Sequence, residues 1–155
     1  MTVSTVEVLL PWRAEQVWQV VTDLRRTGWR SDLSRVEERG PAEFVENTRE
    51  GVATRFFVTQ VHPCRRWEFH LENPSLRGNW TGEFFQEAQG TRLRCTERVQ
   101  AKRWWMAPFV KGYLKRQQAR YMEDLSRELE RRHGESPLET RKKAERCWPL
   151  CFFAD

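Results

Sequence analysis

The chain has 155 residues, a formal charge of +5 and a hydrophobic share of 39%. That length supports one domain with its own core, and no apolar run approaches the ~20 residues of a membrane-spanning helix, so stable membrane insertion is not expected. Basic residues alternate with acids over 123–132 and 135–146, the pattern of a solvated helical face. No groove-reading motif accompanies the charge, so no nucleic-acid partner is expected.

Residues 3–10 read as a strand with Val6, Val8 and Leu10 on one face and Glu7 on the other. Pro11 stops it. Over 14–24 the period changes to that of a helix, with Val17, Trp18, Val20, Val21 and Leu24 on one side and Glu15 in the first turn. Residues 25–32, around Gly28 and Trp29, read as a turn or a short second helix. Two weak strands, 33–38 and 43–47, are split by Gly40 and Pro41. A stronger strand spans 52–61; its faces carry Phe56 and Val58 on one side and Phe57 and Val61 on the other, so one edge of it is expected to lie under another element. Residues 66–72 alternate cleanly, with Trp67, Phe69 and Leu71 inward. Residues 78–86 place Trp80, Gly82 and Phe84 on one face, and 91–99 place Leu93, Cys95, Glu97 and Val99 together. The short turns between these later strands imply hairpins and an antiparallel meander.

A long amphipathic helix follows, from about Pro108 to Arg132. Its apolar stripe is Phe109, Val110, Tyr113, Leu114, Tyr121, Met122, Leu125 and Leu129, and Gly134 is its expected stop. The stripe needs a partner surface, and a curling antiparallel sheet supplies one. The expected fold is therefore α+β: a curved antiparallel sheet of six to seven strands wraps a long C-terminal helix, with one or two short helices after the first strand. The expected division is a helix-grip domain over 1–133 and a tail over 134–155.

Three blocks of residues carry a resemblance. The first is Pro11, Trp12, Arg13, Ala14, Glu15, Gln16, Val17 and Trp18, followed by Asp23 and Trp29. The second is Gly78 to Phe84, followed by Gly90, Thr91, Arg92 and Leu93. The third is the helix end at Tyr121, Met122, Glu123, Asp124 and Leu125. On these the chain resembles the START/Bet v 1-like (SRPBCC) superfamily, the helix-grip fold, and among its members the bacterial polyketide cyclase/dehydrase-like proteins. The resemblance covers residues 3 to 132. It implies a cavity for lipids, hormones or polyketides, with cyclisation or dehydration in some members.

No nucleophile elbow, phosphate loop or metal cluster is present. Four cysteines, Cys64, Cys95, Cys147 and Cys151, and three scattered histidines fit neither a disulfide framework nor a zinc site, and no cofactor is expected. Residues 1–7 lack the basic and apolar segments of a secretory signal, so a cytoplasmic setting is expected. The chemistry on offer is an apolar cavity with a few polar groups. Trp67, Phe69, Trp80 and Phe84 are candidates for its wall; filling the core is the alternative, because each ring consumes volume. Glu97, on an otherwise apolar face, is expected to pair with an arginine near the cavity mouth; the alternative is a raised pKa and a role orienting a ligand hydroxyl or as an acid or base. Tyr113, Gln117 and Tyr121 are candidates for polar contacts from the helix. His70 falls on the outer face, and the thiols of Cys64 and Cys95 read as inert.

The segment Trp104, Trp105, Met106, Ala107, Pro108, Phe109 reads first as a hydrophobic staple that docks the helix on the sheet. The alternative is a gate or a membrane-surface contact aided by Lys102, Arg103 and Lys111. The apolar end, residues 147–153, is expected to pack on its own domain, on the cavity mouth or on a second copy, which would make a homodimer. Three functions follow: binding of an apolar or aromatic small molecule, a cyclase or dehydratase on the same fold, and an interaction module acting through the tail.

Overall fold

The computed structural model describes residues 1–134; the expected apolar tail lies outside the described residues. The elements are β1 (Thr2–Leu10), α1 (Ala14–Thr22), β2 (Leu33–Glu38), β3 (Glu43–Thr48), β4 (Ala53–His62), β5 (Arg66–Glu72), β6 (Leu76–Glu87), β7 (Gly90–Ala101) and α2 (Ala107–His133), with a 3-10 turn at Trp104–Met106. The strands form one sheet of seven in the order β1-β7-β6-β5-β4-β3-β2, every neighbouring pair antiparallel. This is the expected helix-grip α+β architecture. Residues 25–32 form turns without a second helix.

The sheet is curved, and its inner side chains show it. Strands two apart in a flat sheet lie roughly 9.6 Å apart. Phe44 on β3 and Phe69 on β5 nevertheless meet with ring centroids 5.8 Å apart, and Phe44 and Trp67 at 6.1 Å. The bend lets inward rings converge and leaves outward side chains splayed and charged. It is helped by a bulge in β4 between Val58 and Gln60. Among the described residues no element covers the outer face of β4; Phe57 there lies under the Arg55 guanidinium, 5.3 Å from its centroid.

Helix α2 buries a spine of Val110, Leu114, Gln118, Met122, Leu125 and Leu129. The sequence stripe is rotated from this spine by part of a turn. Phe109 faces outward and Tyr113 lies half-exposed at the edge of the inner face, and a polar residue, Gln118, takes the inward position between Leu114 and Met122. Gln118 is tolerated there because Ser4 satisfies it twice: Ser4 Oγ donates to Gln118 Oε1 at 2.8 Å, and Gln118 Nε2 donates to the Ser4 carbonyl at 2.9 Å. The expected staple does not form either, since Trp104 and Trp105 are exposed. At the other end Gly134, at φ 75°, donates to the Glu130 carbonyl at 2.8 Å and stops the helix.

Candidate ligand cavity

A cavity of about 150 Å³ lies between the inner face of the sheet and α2. Register dictates its floor. Glu97 on β7 is paired with Ser4 on β1 and with Trp80 on β6, and Trp80 is paired with Phe69 on β5. These residues form one row across four strands. The Phe69 and Trp80 rings stack at 4.7 Å and are nearly parallel, and Trp67 stands edge-on to Trp80 at 6.0 Å. Gly82 makes this possible: a Cβ there would lie 2.4 Å from the Trp80 indole, so only glycine leaves the ring room to lie along its own strand.

The structure brings seven of the eight sequence candidates to the cavity. Trp67, Phe69, Trp80 and Glu97 line it from the sheet, and Tyr113, Gln117 and Tyr121 line it from α2. Phe84 is not among the lining residues. It shares the Trp80 face but sits further along β6, under α1, where it meets Trp18 edge-on at 5.1 Å. Phe84 therefore fills core, because alternation fixes the face of a strand and not the position along it.

Opposite the aromatic row lies a charged cluster that the sequence did not single out. The loop after α1 carries Trp29 and Arg30 inward. Arg30 pairs with Asp32 at 3.0 Å and with Glu46 of β3 at 3.2 Å. Its guanidinium stands 4.9 Å from the Tyr121 ring centroid. Burial opposes its charge, but Glu46 and Asp32 more than offset that, and its pKa rises above the ordinary value. One cation thus serves two carboxylates, and burial leaves the Glu46 carboxyl raised. Glu97 has no hydrogen bond or ion pair among the described residues, so the expected arginine pairing is not made: the nearby arginine is already held. Burial, with the Glu46 charge adding and Arg30 opposing, pushes the Glu97 carboxyl up to about 7. Burial likewise raises the Tyr121 hydroxyl and the Cys95 thiol, keeping both neutral. The Trp29 indole N–H, also buried at the cavity wall, finds no acceptor among the described residues.

The loop bearing Arg30 is tied to α2 through Ser31. Buried Asp124 accepts from the Ser31 amide at 2.8 Å and from its hydroxyl at 2.7 Å, and Arg120 donates to the Ser31 hydroxyl at 2.7 Å. Asp124→Ala removes two charge-assisted bonds of ~1.5–3 kcal/mol each at most. We expect a loss of about 2 kcal/mol in denaturant unfolding and faster hydrogen exchange at Ser31. Unchanged exchange there would show that the loop is held by other contacts. Among the described residues no group of His, Cys, Asp or Glu is placed to hold a metal ion.

A curved sheet gripping one helix over an aromatic-floored, acid-bearing cavity defines a START-like, polyketide cyclase-type protein. The chain belongs to the family described as polyketide cyclase / dehydrase and lipid transport, whose model matches residues 1–130. Among solved structures it is similar to the Zhui aromatase/cyclase from Streptomyces sp. R1128 (TM-score 0.74, 15% identity, covering 84% of this chain and 94% of that one). It is also similar to a START superfamily protein from Mycobacterium smegmatis (TM-score 0.73, 15% identity, 84% and 97% covered). A third similar structure is a conserved protein from Geobacillus kaustophilus (TM-score 0.71, 13% identity, 83% and 94% covered). At these identities the likeness is one of fold. No curated protein matches the sequence. No described helix is long and apolar enough to cross a membrane.

Proposed function

We propose that this protein binds a small, mostly apolar molecule carrying one polar group, in the cavity between the sheet and α2. The observation that carries the reading is the unpaired Glu97 carboxyl at the end of the Phe69–Trp80 row. This half-buried carboxyl has no partner among the described residues, so it can accept from a ligand hydroxyl when ionised or donate to a ligand carbonyl when protonated. Trp67, Phe69 and Trp80 supply flat apolar contact. Tyr113, Gln117, Tyr121 and the Trp29 N–H supply further polar contacts. The volume bounds the occupant. Sites for drug-sized ligands run to ~300–1,000 Å³, whereas ~150 Å³ admits benzene. In this conformation the cavity holds one ring or a short chain, and a polyketide- or lipid-sized ligand requires Tyr113 or the Trp29 loop to give way. The reading places the protein in the cytoplasm, where the free thiols of Cys64 and Cys95 stay reduced.

One observation favours the second reading, a cyclase or dehydratase. A carboxyl at about 7 is half protonated near neutral pH, which suits a general acid–base group. Arg30 also lines the cavity, but Asp32 and Glu46 already hold its charge, so in this reading the proton transfer rests on Glu97 alone. One structural neighbour is named an aromatase/cyclase. In this reading Glu97 exchanges a proton with the ligand, and in the first it only orients it.

Titration with an apolar fluorescent probe tests the binding reading. The probe should quench tryptophan emission, and Trp80→Ala should weaken its affinity by about tenfold, the equivalent of one lost aromatic contact. Trp12→Ala, which alters a buried ring outside the cavity lining, should leave affinity within about twofold. Equal effects of the two variants, or no binding by the parent, would mean that the rings simply fill a core.

A further inference from the structure

The start of α2 presents an aromatic surface that no described element covers. Trp104, Trp105, Phe109 and Tyr113 are 88%, 53%, 72% and 42% exposed. Charge is distributed unevenly along the same segment. Residues 101–120 include Lys102, Arg103, Lys111, Lys115, Arg116 and Arg120 and contain no Asp or Glu. Lys102 is engaged by Glu72 at 2.8 Å, Lys115 by the Thr5 carbonyl and Arg120 by Ser31. Arg103, Lys111 and Arg116 make no ion pair among the described residues. Arg116 falls two turns after Phe109 on the same side of the helix, so the rings and this free cation share one surface, whereas Lys111, two residues after Phe109, lies on the other flank. On the opposing turn, Glu50 bears on Tyr113 at the edge of this surface.

We propose that this end of α2 docks on a bilayer surface containing anionic lipids, with Trp104, Trp105 and Phe109 seated among the headgroups and Arg103 and Arg116 facing their phosphates. Indole rings favour that interfacial depth, and basic side chains with apolar stems reach the phosphates from it. Charge complementarity selects the anionic surface. A single-stranded nucleic acid would also suit rings and cations, but the end of one convex helix offers no groove to track a phosphate chain. The surface is also continuous with the cavity, because Tyr113 lines it. The docked protein would thus hold its cavity mouth against the lipid. Docking goes beyond the cavity reading and does not rest on it.

The test uses the full chain with vesicles of phosphatidylcholine alone and of phosphatidylcholine with phosphatidylglycerol, read by co-sedimentation. We expect binding to the mixed vesicles with a blue shift of tryptophan emission. Binding to phosphatidylcholine alone should be weaker by tenfold or more, since each basic residue near an anionic surface contributes roughly a fivefold factor. Two double variants, Trp104→Ser with Phe109→Ser and Arg103→Glu with Arg116→Glu, should each lose about tenfold or more on the mixed vesicles. The tail is present in all of them, so its contribution is constant. Melting curves like the parent's show that these variants are folded, and probe binding, read separately, distinguishes a failure here from a failure of the cavity reading. Equal binding to both vesicle types, or variants that bind like the parent, would overturn the proposal. So would patch-dependent binding to a single-stranded oligonucleotide without vesicle binding, or a lipid-free parent that elutes as a dimer which the variants dissociate.

Discussion

Leu125→Asp is expected to be the most damaging single substitution in the interface between helix and sheet. Leu125 is fully buried on the α2 spine. The substitution removes about 2–5 kcal/mol of packing and transfer energy and adds the cost of an unpaired carboxylate. A total near 4 kcal/mol would lower the melting temperature by on the order of 10–20 °C for a domain of this size. Denaturant unfolding with unchanged slope would read it directly. If the variant melts within a few degrees of the parent, α2 is not gripped by the sheet.

Glu97→Gln is expected to act in the opposite direction, and only on the alkaline side. In the folded protein the Glu97 carboxyl stands at about 7, above its ordinary 4.5. Between these values the folded state holds a proton that the unfolded state has released, so stability falls as pH rises from about 4.5 to about 7 and is level beyond. A shift of this size corresponds to roughly 3 kcal/mol. Gln carries no charge to desolvate. The variant should therefore match the parent near pH 4 and exceed it by about 2–3 kcal/mol near pH 8. Melting curves across that range check it. Equal pH slopes in both proteins would place the Glu97 carboxylate in contact with water or a cation. A stabilising replacement at a cavity residue is what a group kept for function leaves behind.

The fold was legible because its signals are local and repeated. Alternation in β5, β6 and β7 marks which side chains face inward, and the short turns between these strands imply a meander. Helix α2 was legible in extent but not in phase. Gln118 occupies a core position by virtue of Ser4, more than a hundred residues earlier in the chain, and apolar periodicity does not register a polar residue satisfied by so distant a partner. Apolar periodicity therefore includes the exposed Phe109 in the stripe and reads the exposed Trp104 and Trp105 as a docked staple.

The cavity was legible on its sheet side alone. Glu97 is a lone acid on an alternating apolar face and so carries a local signal, whereas Arg30, in a polar loop, and Glu46, in a weak strand, carry none. What brings them together is curvature, which folds β3 and the loop after α1 over the inner face of β7. Trp29, within a block that resembles the family pattern, was the nearest available signal to Arg30. The failed expectation that Glu97 pairs with an arginine has the same origin, because the commitment of Arg30 to Asp32 and Glu46 depends on contacts across the fold.

The central claim is that the space beside Glu97 is a binding site and not a packing defect. Native mass spectrometry of the full chain, purified gently and compared with Trp80→Ala, tests it most directly. The account predicts a parent population carrying an added small-molecule mass that mild activation releases intact, at lower occupancy in Trp80→Ala. A parent that appears only at its bare mass, from every expression background and after incubation with single-ring aromatic acids and alcohols, would contradict it.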